Sequence, residues 1–328
     1  MVVNKLVSSF VNYGDWWRGL SAFRKISPAL IICLVLSVFA ALKGIRSDHI
    51  LLGAFILALF YGGVYGAILA KFLTPVFLVG TVYDSQKFFG DIIRARIRVE
   101  EPYFFDKLFF GIHTQTGILT PNEWFQLHTH ASLDFITGFV YLTFIPLATI
   151  AMGWIYFYYG EKGTLRYSPV EFQKRRMQIP WSFFWLNCLG YSTYYWYPAA
   201  PPWYVAQYGL GPANMSVRPS MAGAVRFDHL FGTNFFGELY GRSQDVFGAV
   251  PSLHVAYPLI VVFFAFRFGA SVQFKTLMIL FYLLMSFGAV YLNHHYILDI
   301  LWGTAYTFLV GGFFVWFTEY RLKRTPAV

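Results

Sequence analysis

Apolar runs long enough to cross a bilayer follow one another from residue 28 to residue 318, and no other feature constrains this chain as much. A hydrocarbon core of about 30 Å needs roughly 20 apolar residues of helix. Such runs occupy 28–44, 50–82, 132–159, 179–199, 252–268, 274–291 and 297–318. With no water in that layer to bond an exposed backbone, only helices and closed barrels are viable. The apolar–polar alternation of a barrel strand is absent. The expected fold is therefore all-α, a polytopic membrane bundle of seven or eight spans. The count turns on 50–82, which is too long for one ordinary span and contains Gly62, Gly63, Gly66 and Pro75. It reads as a kinked span followed by a re-entrant or second short span.

Only 12% of residues are charged, against about a quarter in a soluble domain. Trp and Tyr gather near the ends of the runs, as in interfacial belts. The net charge of +9 lies in short loops and at the termini, which suits positive-inside topology and contact with anionic headgroups. No basic module stands outside the membrane segments, so a nucleic-acid partner is not expected. Cys33 and Cys188 both fall in apolar runs, which argues against a disulfide framework. No cleavable signal pattern is expected: the first run begins near Ser27, behind Arg18, Arg24 and Lys25, with no clear small-residue cleavage site.

Two polar connections are long. In 84–131, Arg94, Arg96 and Arg98 alternate with apolar residues ahead of Tyr103-Phe104-Phe105, a pattern expected of an interfacial amphipathic segment. Residues 1–131 are thus expected to form N-terminal spans plus that segment, and 132–328 a catalytic membrane domain. The other connection, 200–250, is rich in Gly and Pro, and loops of that length are uncommon unless functional. Ahead of the third run, His128, His130 and Asp134 form H-x-H-x-x-x-D. That triplet is open to a zinc or iron site, to headgroup contact, or to a plain interfacial role.

Two histidine constellations carry the chemistry. Pro251-Ser252-Leu253-His254 stands at the mouth of the fifth run, and His294-His295-Tyr296-Ile297-Leu298-Asp299 at the mouth of the seventh. One out-and-back pair of spans separates them, so both face the same side of the membrane. His295 and Asp299 are spaced i,i+4 and share a helix face. A carboxylate there fixes the imidazole tautomer and leaves the other nitrogen as base or nucleophile. Two imidazoles and a carboxylate suit phosphoryl transfer through a covalent intermediate, one ring attacking phosphorus and the other moving the proton. Ser252 and the N–H groups that open the fifth span are candidates to hold a phosphate oxygen.

On these two motifs, P-S-x-H and H-x-x-x-D, the chain resembles the type-2 phosphatidic acid phosphatase (PAP2) superfamily. That resemblance implies His295 as nucleophile, Asp299 as its orienting group, His254 as acid/base, and a core of about six helices. A narrower likeness covers roughly 180–310. The runs 198–204, 208–216, 223–228, 231–233, 247–250 and 291–296 are similar to the fungal inositol phosphorylceramide synthase catalytic subunits, the targets of aureobasidin A. It implies movement of a phosphoinositol headgroup from a phospholipid donor to a ceramide-like lipid alcohol, with no metal or cofactor and with room for an accessory subunit. Tyr204, Asn214, Asp228 and His294 lie in the shared runs and join Ser252 as candidate substrate-binding residues. The Ser-Arg pair that superfamily phosphatases carry before the second motif is missing, since Phe287-Gly288-Ala289-Val290 stands there. Arg226 and Arg242 are the candidates to supply that charge.

The basic loop 160–178, Arg267, Lys275 and the tail with Arg321, Lys323 and Arg324 share the face opposite the histidines. Positive-inside bias makes that face cytoplasmic and the site non-cytoplasmic. The resemblance implies the inner membrane in a bacterium or the Golgi in a fungus. An eighth crossing within 50–82 would bring Arg18, Arg24 and Lys25 to the cytoplasm as well. Two rival functions remain at this stage: a lipid phosphate phosphatase with water as acceptor, and a lipid transporter. The ionisable residues sit at span mouths rather than mid-span, which counts against the transporter.

Overall fold

A computed structural model describes residues 13–88, 97–241 and 246–324. The chain divides into two compact units between Phe88 and Phe89.

The first unit holds helices α1 (Tyr13–Gly19), α2 (Ala22–Ala41), α3 (Ser47–Tyr61) and α4 (Val64–Ser85). The long run 50–82 is thus split into two helices, and the glycines account for the break. Gly63 has φ +130° and ψ −174°, a conformation that side-chain-bearing residues rarely adopt. A Cβ on Gly66 would collide with the Leu59 carbonyl oxygen, so only glycine lets the returning helix start so close. Ile32, Ile56, Phe60, Ala67, Ala70 and Phe77 form the unit's core. Arg46 pairs with Asp48 and Asp84, and His49 bonds Asp84 at 2.8 Å.

The second unit opens with α5 (Glu100–Phe110), a short hairpin of β1 (Ile112–Thr114) and β2 (Gly117–Leu119), and α6 (Pro121–Leu127). All of these elements belong to the second compact unit, which begins at Phe89. Arg94 and Arg96 lie outside the described residues. Then come α7 (Ala131–Lys162), α8 (Pro169–Arg175), α9 (Gln178–Trp196), α10 (Pro202–Tyr208), α11 (Val225–Phe231), α12 (Phe235–Gly241), α13 (Leu253–Arg267), α14 (Val272–Tyr291) and α15 (Ile297–Arg324). By length and composition α2, α4, α7, α14 and α15 can cross a membrane, and α3 and α13 are shorter apolar helices. The chain is a polytopic helical membrane protein.

Helix α13 is apolar all round because it is enclosed by α7, α9, α14 and α15. Val255, Ala256, Ile260, Val261 and Phe264 are fully buried along it. Large apolar side chains on the outer faces of α7, α14 and α15, such as Ile150, Leu277 and Leu309, are exposed, as lipid-facing residues must be. Five helices (α7, α9, α13, α14, α15) make the bundle among the described residues of this unit, where the resemblance implies about six. They alternate in direction. One end therefore gathers the start of α7, the end of α9, the starts of α13 and α15 and the end of α14. The connection 200–241 places three short helices, α10, α11 and α12, at that end, with 209–221 as loop after the first.

Candidate active site

The site grows from two helix starts sewn together. The Ser252 N–H donates to the Asp299 carbonyl at 2.9 Å. Gly303, one turn beyond Asp299 on α15, lacks the Cβ that would strike the Ser252 carbonyl oxygen, so α13 and α15 can touch there. His254 sits in the first turn of α13 and His295 two residues ahead of α15.

The segment carrying His295 is held by its backbone. Asn293 turns the chain at φ +62°, a left-handed conformation that Asn tolerates. The N–H groups of His294 and His295 both donate to the Ala289 carbonyl at 3.0 Å. Asn122 of α6 donates its amide to the carbonyls of Val290 and His295, each at 3.0 Å. Asp106 of α5 accepts from the N–H groups of Ile297 and Leu298 at 2.7 and 3.0 Å, capping α15. Burial pushes the Asp106 carboxyl up to about 7, against those two donors.

His295 donates from Nδ1 to Asp299 Oδ2 at 3.1 Å and to the Ala249 carbonyl at 3.0 Å. A carbonyl can only accept, so this pair assigns the proton to Nδ1 and the lone pair to Nε2. That Nε2 lies 2.9 Å from His254 Nδ1. Burial drives the His295 ring down to about 4, so it is neutral near pH 7, the state a nucleophile needs. The same Asp299 oxygen accepts from the Tyr296 N–H at 3.0 Å, which locks the carboxylate in turn. Ser252 Oγ is fully buried beside these groups and has no hydrogen-bond partner.

Aromatic rings wall the pair. Tyr141 of α7 stacks on His254 with centroids 4.8 Å apart and on His294 at 5.2 Å. Phe144 covers the His254 ring at 4.7 Å, and Tyr240 stacks on His294 at 5.0 Å. His294 is thereby sandwiched, and burial holds its ring neutral.

The remaining sequence candidates have partners of their own. Arg226 donates from Nε to Asp134 at 2.6 Å and from Nη1 to Gln126 at 3.1 Å, and its guanidinium lies over the Tyr291 ring at 5.0 Å. Tyr291 also donates to Asp134, at 2.9 Å. Arg226 therefore braces the end of α14 just behind the histidine segment. Asp228 caps α12 by accepting from the N–H groups of Phe236 and Gly237 at 3.0 and 3.3 Å. Tyr204 accepts from the Asn214 N–H at 2.6 Å, and Asn214 in turn accepts from Ser216 at 3.0 Å. Arg242 lies outside the described residues. The triplet His128, His130 and Asp134 is not gathered into a ligand set. His128 stacks on Trp124, His130 caps α7, and Asp134 serves Arg226 and Tyr291. Among the described residues the one His/carboxylate group close enough for a shared ion is Asp48, His49 and Asp84 in the other unit, where Arg46 already supplies positive charge.

Sequence reasoning missed Asp106, Asn122, Tyr141 and Tyr240. Asp106 and Asn122 act on backbone atoms more than 160 residues away, so no local pattern marks them. Tyr141 carried a weak signal, since it stands seven residues after Asp134 and so on the same helix face.

Residues 115–313 match the PAP2 superfamily. The chain is 34% identical over 304 residues to the phosphoinositol dihydroceramide synthase of Bacteroides thetaiotaomicron, covering 91% of this chain and 92% of that protein. It is 33% identical over 178 residues to the inositol phosphorylceramide synthase catalytic subunit of Schizosaccharomyces pombe, covering 53% of this chain and 38% of that one. The Saccharomyces cerevisiae subunit matches at 33% over 127 residues, 38% of this chain and 31% of its own length. No solved structure matches the chain. With the paired histidines on the bundle rim and a match that runs from α6 through most of α15, this membrane enzyme belongs to the PAP2 superfamily.

Proposed function

We propose that the chain moves a phosphoinositol headgroup from a glycerophospholipid to the primary hydroxyl of a ceramide-like lipid, through a phosphohistidine at His295. The observation that carries this reading is the tautomer. Asp299 and the Ala249 carbonyl hold the His295 proton on Nδ1, which aims the Nε2 lone pair at the space shared with His254.

The steps follow from that geometry. The donor phosphate enters by displacing the 2.9 Å contact between the two rings. His295 Nε2 attacks phosphorus while the bond from phosphorus to the diacylglycerol oxygen breaks, and His254, protonated while the anionic donor is bound, gives that oxygen its proton and becomes neutral. Diacylglycerol leaves. The acceptor hydroxyl then loses its proton to His254 and attacks the phosphohistidine, and the P–N bond breaks. Both rings are back in their starting protonation states. Ser252 Oγ and the N–H groups opening α13 suit the non-bridging oxygens, where a helix N-terminus favours anions. The buried, aromatic-walled rim keeps water from competing with the lipid alcohol. Arg226, held near His294, contributes long-range positive charge rather than a direct phosphate contact.

The basic residues cluster on the bundle end opposite the histidines, which supports a non-cytoplasmic active site.

The test is reconstitution. Purified protein in mixed micelles receives phosphatidylinositol labelled in its phosphoinositol headgroup and an unlabelled ceramide, and mass spectrometry follows the product. The expected product is inositol phosphorylceramide, with an acid-labile, base-stable labelled protein when the acceptor is withheld. Released inositol phosphate without ceramide product would favour a hydrolase. Labelling that survives in His295→Ala would remove the proposed nucleophile.

A further inference from the structure

The opposite end of the bundle holds a cavity of about 490 Å³, formed by the end of α8, the start of α9 and the last turns of α15. Its chemistry is two-sided. Lys174, Arg175 and Arg321 line one part, and no acidic residue lines any of it. Trp181, Phe314 and Phe317 line the rest. The neighbouring carboxylate, Glu319, is already committed: it accepts from Arg175 at 2.7 and 3.0 Å and from Arg267 at 2.7 Å. Positive charge therefore exceeds negative charge around the cavity. Gln178 also lines the cavity, 1% exposed, and neither its amide nitrogen nor its amide oxygen has a hydrogen-bond partner. A buried amide with both groups unpaired is rare in a finished structure and points to a missing polar partner.

The depth in the membrane fits a lipid. Helix α15 has 28 residues, about 42 Å at 1.5 Å per residue, so its last turns lie beyond a hydrocarbon core of about 30 Å. The cavity then sits at the boundary of headgroups and acyl chains, with the cations on the outer side. The Phe317 ring, over which Arg321 lies at 5.9 Å, is itself exposed towards the lipid.

From this we infer that the cavity binds an anionic phospholipid of the leaflet opposite the active site. The phosphate rests on Lys174 and Arg321 and meets a donor from Gln178. The acyl chains run over Trp181, Phe314 and Phe317. The same cations would attract inorganic phosphate, but the apolar wall gives free phosphate nothing further, and the commitment here is to the lipid. This lipid is distinct from the substrates, since the histidines lie at the other end of α15. The inference does not depend on which headgroup the enzyme transfers.

Native mass spectrometry of the full chain in detergent tests it, with phosphatidylglycerol, phosphatidylcholine and inorganic phosphate as the probes. Wild type is expected to retain phosphatidylglycerol in preference to phosphatidylcholine. The double variant Lys174→Gln/Arg321→Gln, both exposed positions, is expected to lose roughly 25-fold in phosphatidylglycerol affinity, the effect of two interfacial cations. The control Lys323→Gln/Arg324→Gln removes equal charge outside the cavity and is expected to change it by less than about threefold. Gln178→Leu keeps the volume, removes the amide and is expected to weaken retention of phosphatidylglycerol. Equal losses in control and cavity variants would reduce the effect to surface electrostatics and overturn the site. So would unchanged retention in the double variant, or inorganic phosphate competing as well as the lipid. Should the double variant fail to purify, Gln178→Leu and each single substitution carry the same comparison.

Discussion

The two ends of the catalytic bundle treat charge in opposite ways. At the histidine end the polar groups are dry: His295 is 6% exposed and Asp299 fully buried, and the two are fixed by directional hydrogen bonds of 3.0–3.1 Å. At the basic end Arg175, Arg267 and Glu319 remain partly exposed and are held as ion pairs. The difference follows from the task. A nucleophile needs one tautomer and one direction, which only low-dielectric hydrogen bonding enforces. A surface facing anionic headgroups needs charge that stays hydrated and accessible. Directional bonds to backbone atoms also make the histidine end brittle, because each removed partner leaves a buried group unpaired.

The comparison predicts a graded series of effects. His295→Ala and His254→Ala are expected to reduce headgroup transfer the most, by about 10²–10⁴-fold for the proton-transfer ring and to background for the nucleophile, with the fold retained by circular dichroism. Asp299→Asn is expected to cost about 10- to 100-fold in kcat, less than the ~10⁴-fold lost by a triad imidazole deprived of its carboxylate, because the Ala249 carbonyl still holds the Nδ1 proton. Wild-type activity in that variant would show that the Ala249 carbonyl alone sets the tautomer.

The acid limb of the pH–rate profile sharpens the same point. His295 must be neutral to attack, so activity is present above its pKa and lost as pH falls through it, here about 4. A limb near the ordinary imidazole value, about 6.5, would mean that the site is wetter than its burial implies.

Positioning by α5 is expected to matter less. Asp106→Ala strands two buried N–H groups and is expected to lower stability by about 1–3 kcal/mol, with a smaller loss of activity than Asp299→Asn. Asp106→Asn, which keeps an acceptor, is expected to recover most of both. At the other end, Glu319→Gln breaks a partly exposed ion-pair cluster and is expected to cost about 1 kcal/mol in thermal denaturation, while transfer stays within about twofold of wild type. A large loss of transfer there would mean that α15 couples its two ends.

Much of this was legible in the primary sequence, and the limits have physical causes. The recurring apolar runs require helices because lipid offers the backbone no partner. The i,i+4 spacing of His295 and Asp299 brings the two into reach, although His295 stands two residues ahead of α15 rather than on its face. Gly62, Gly63 and Gly66 mark 50–82 as broken, although only the structure shows two helices there. Arg226 illustrates the opposite case: its position in a shared run suggested phosphate contact, and its neighbour across space turned out to be Asp134. Pairings of that kind arise between elements 92 residues apart and leave no periodic trace.

The amino-acid sequence by itself determined the solvent this protein lives in, its helical class and the two motifs that hold its reactive rings, because hydropathy and helical periodicity act over a few residues at a time. Only the tertiary structure decided which nitrogen of His295 is free, that Asp106 and Asn122 hold the segment bearing it, and that Tyr141 lies against both His254 and His294. Those outcomes depend on distances between helices, and such distances are set by how whole surfaces pack.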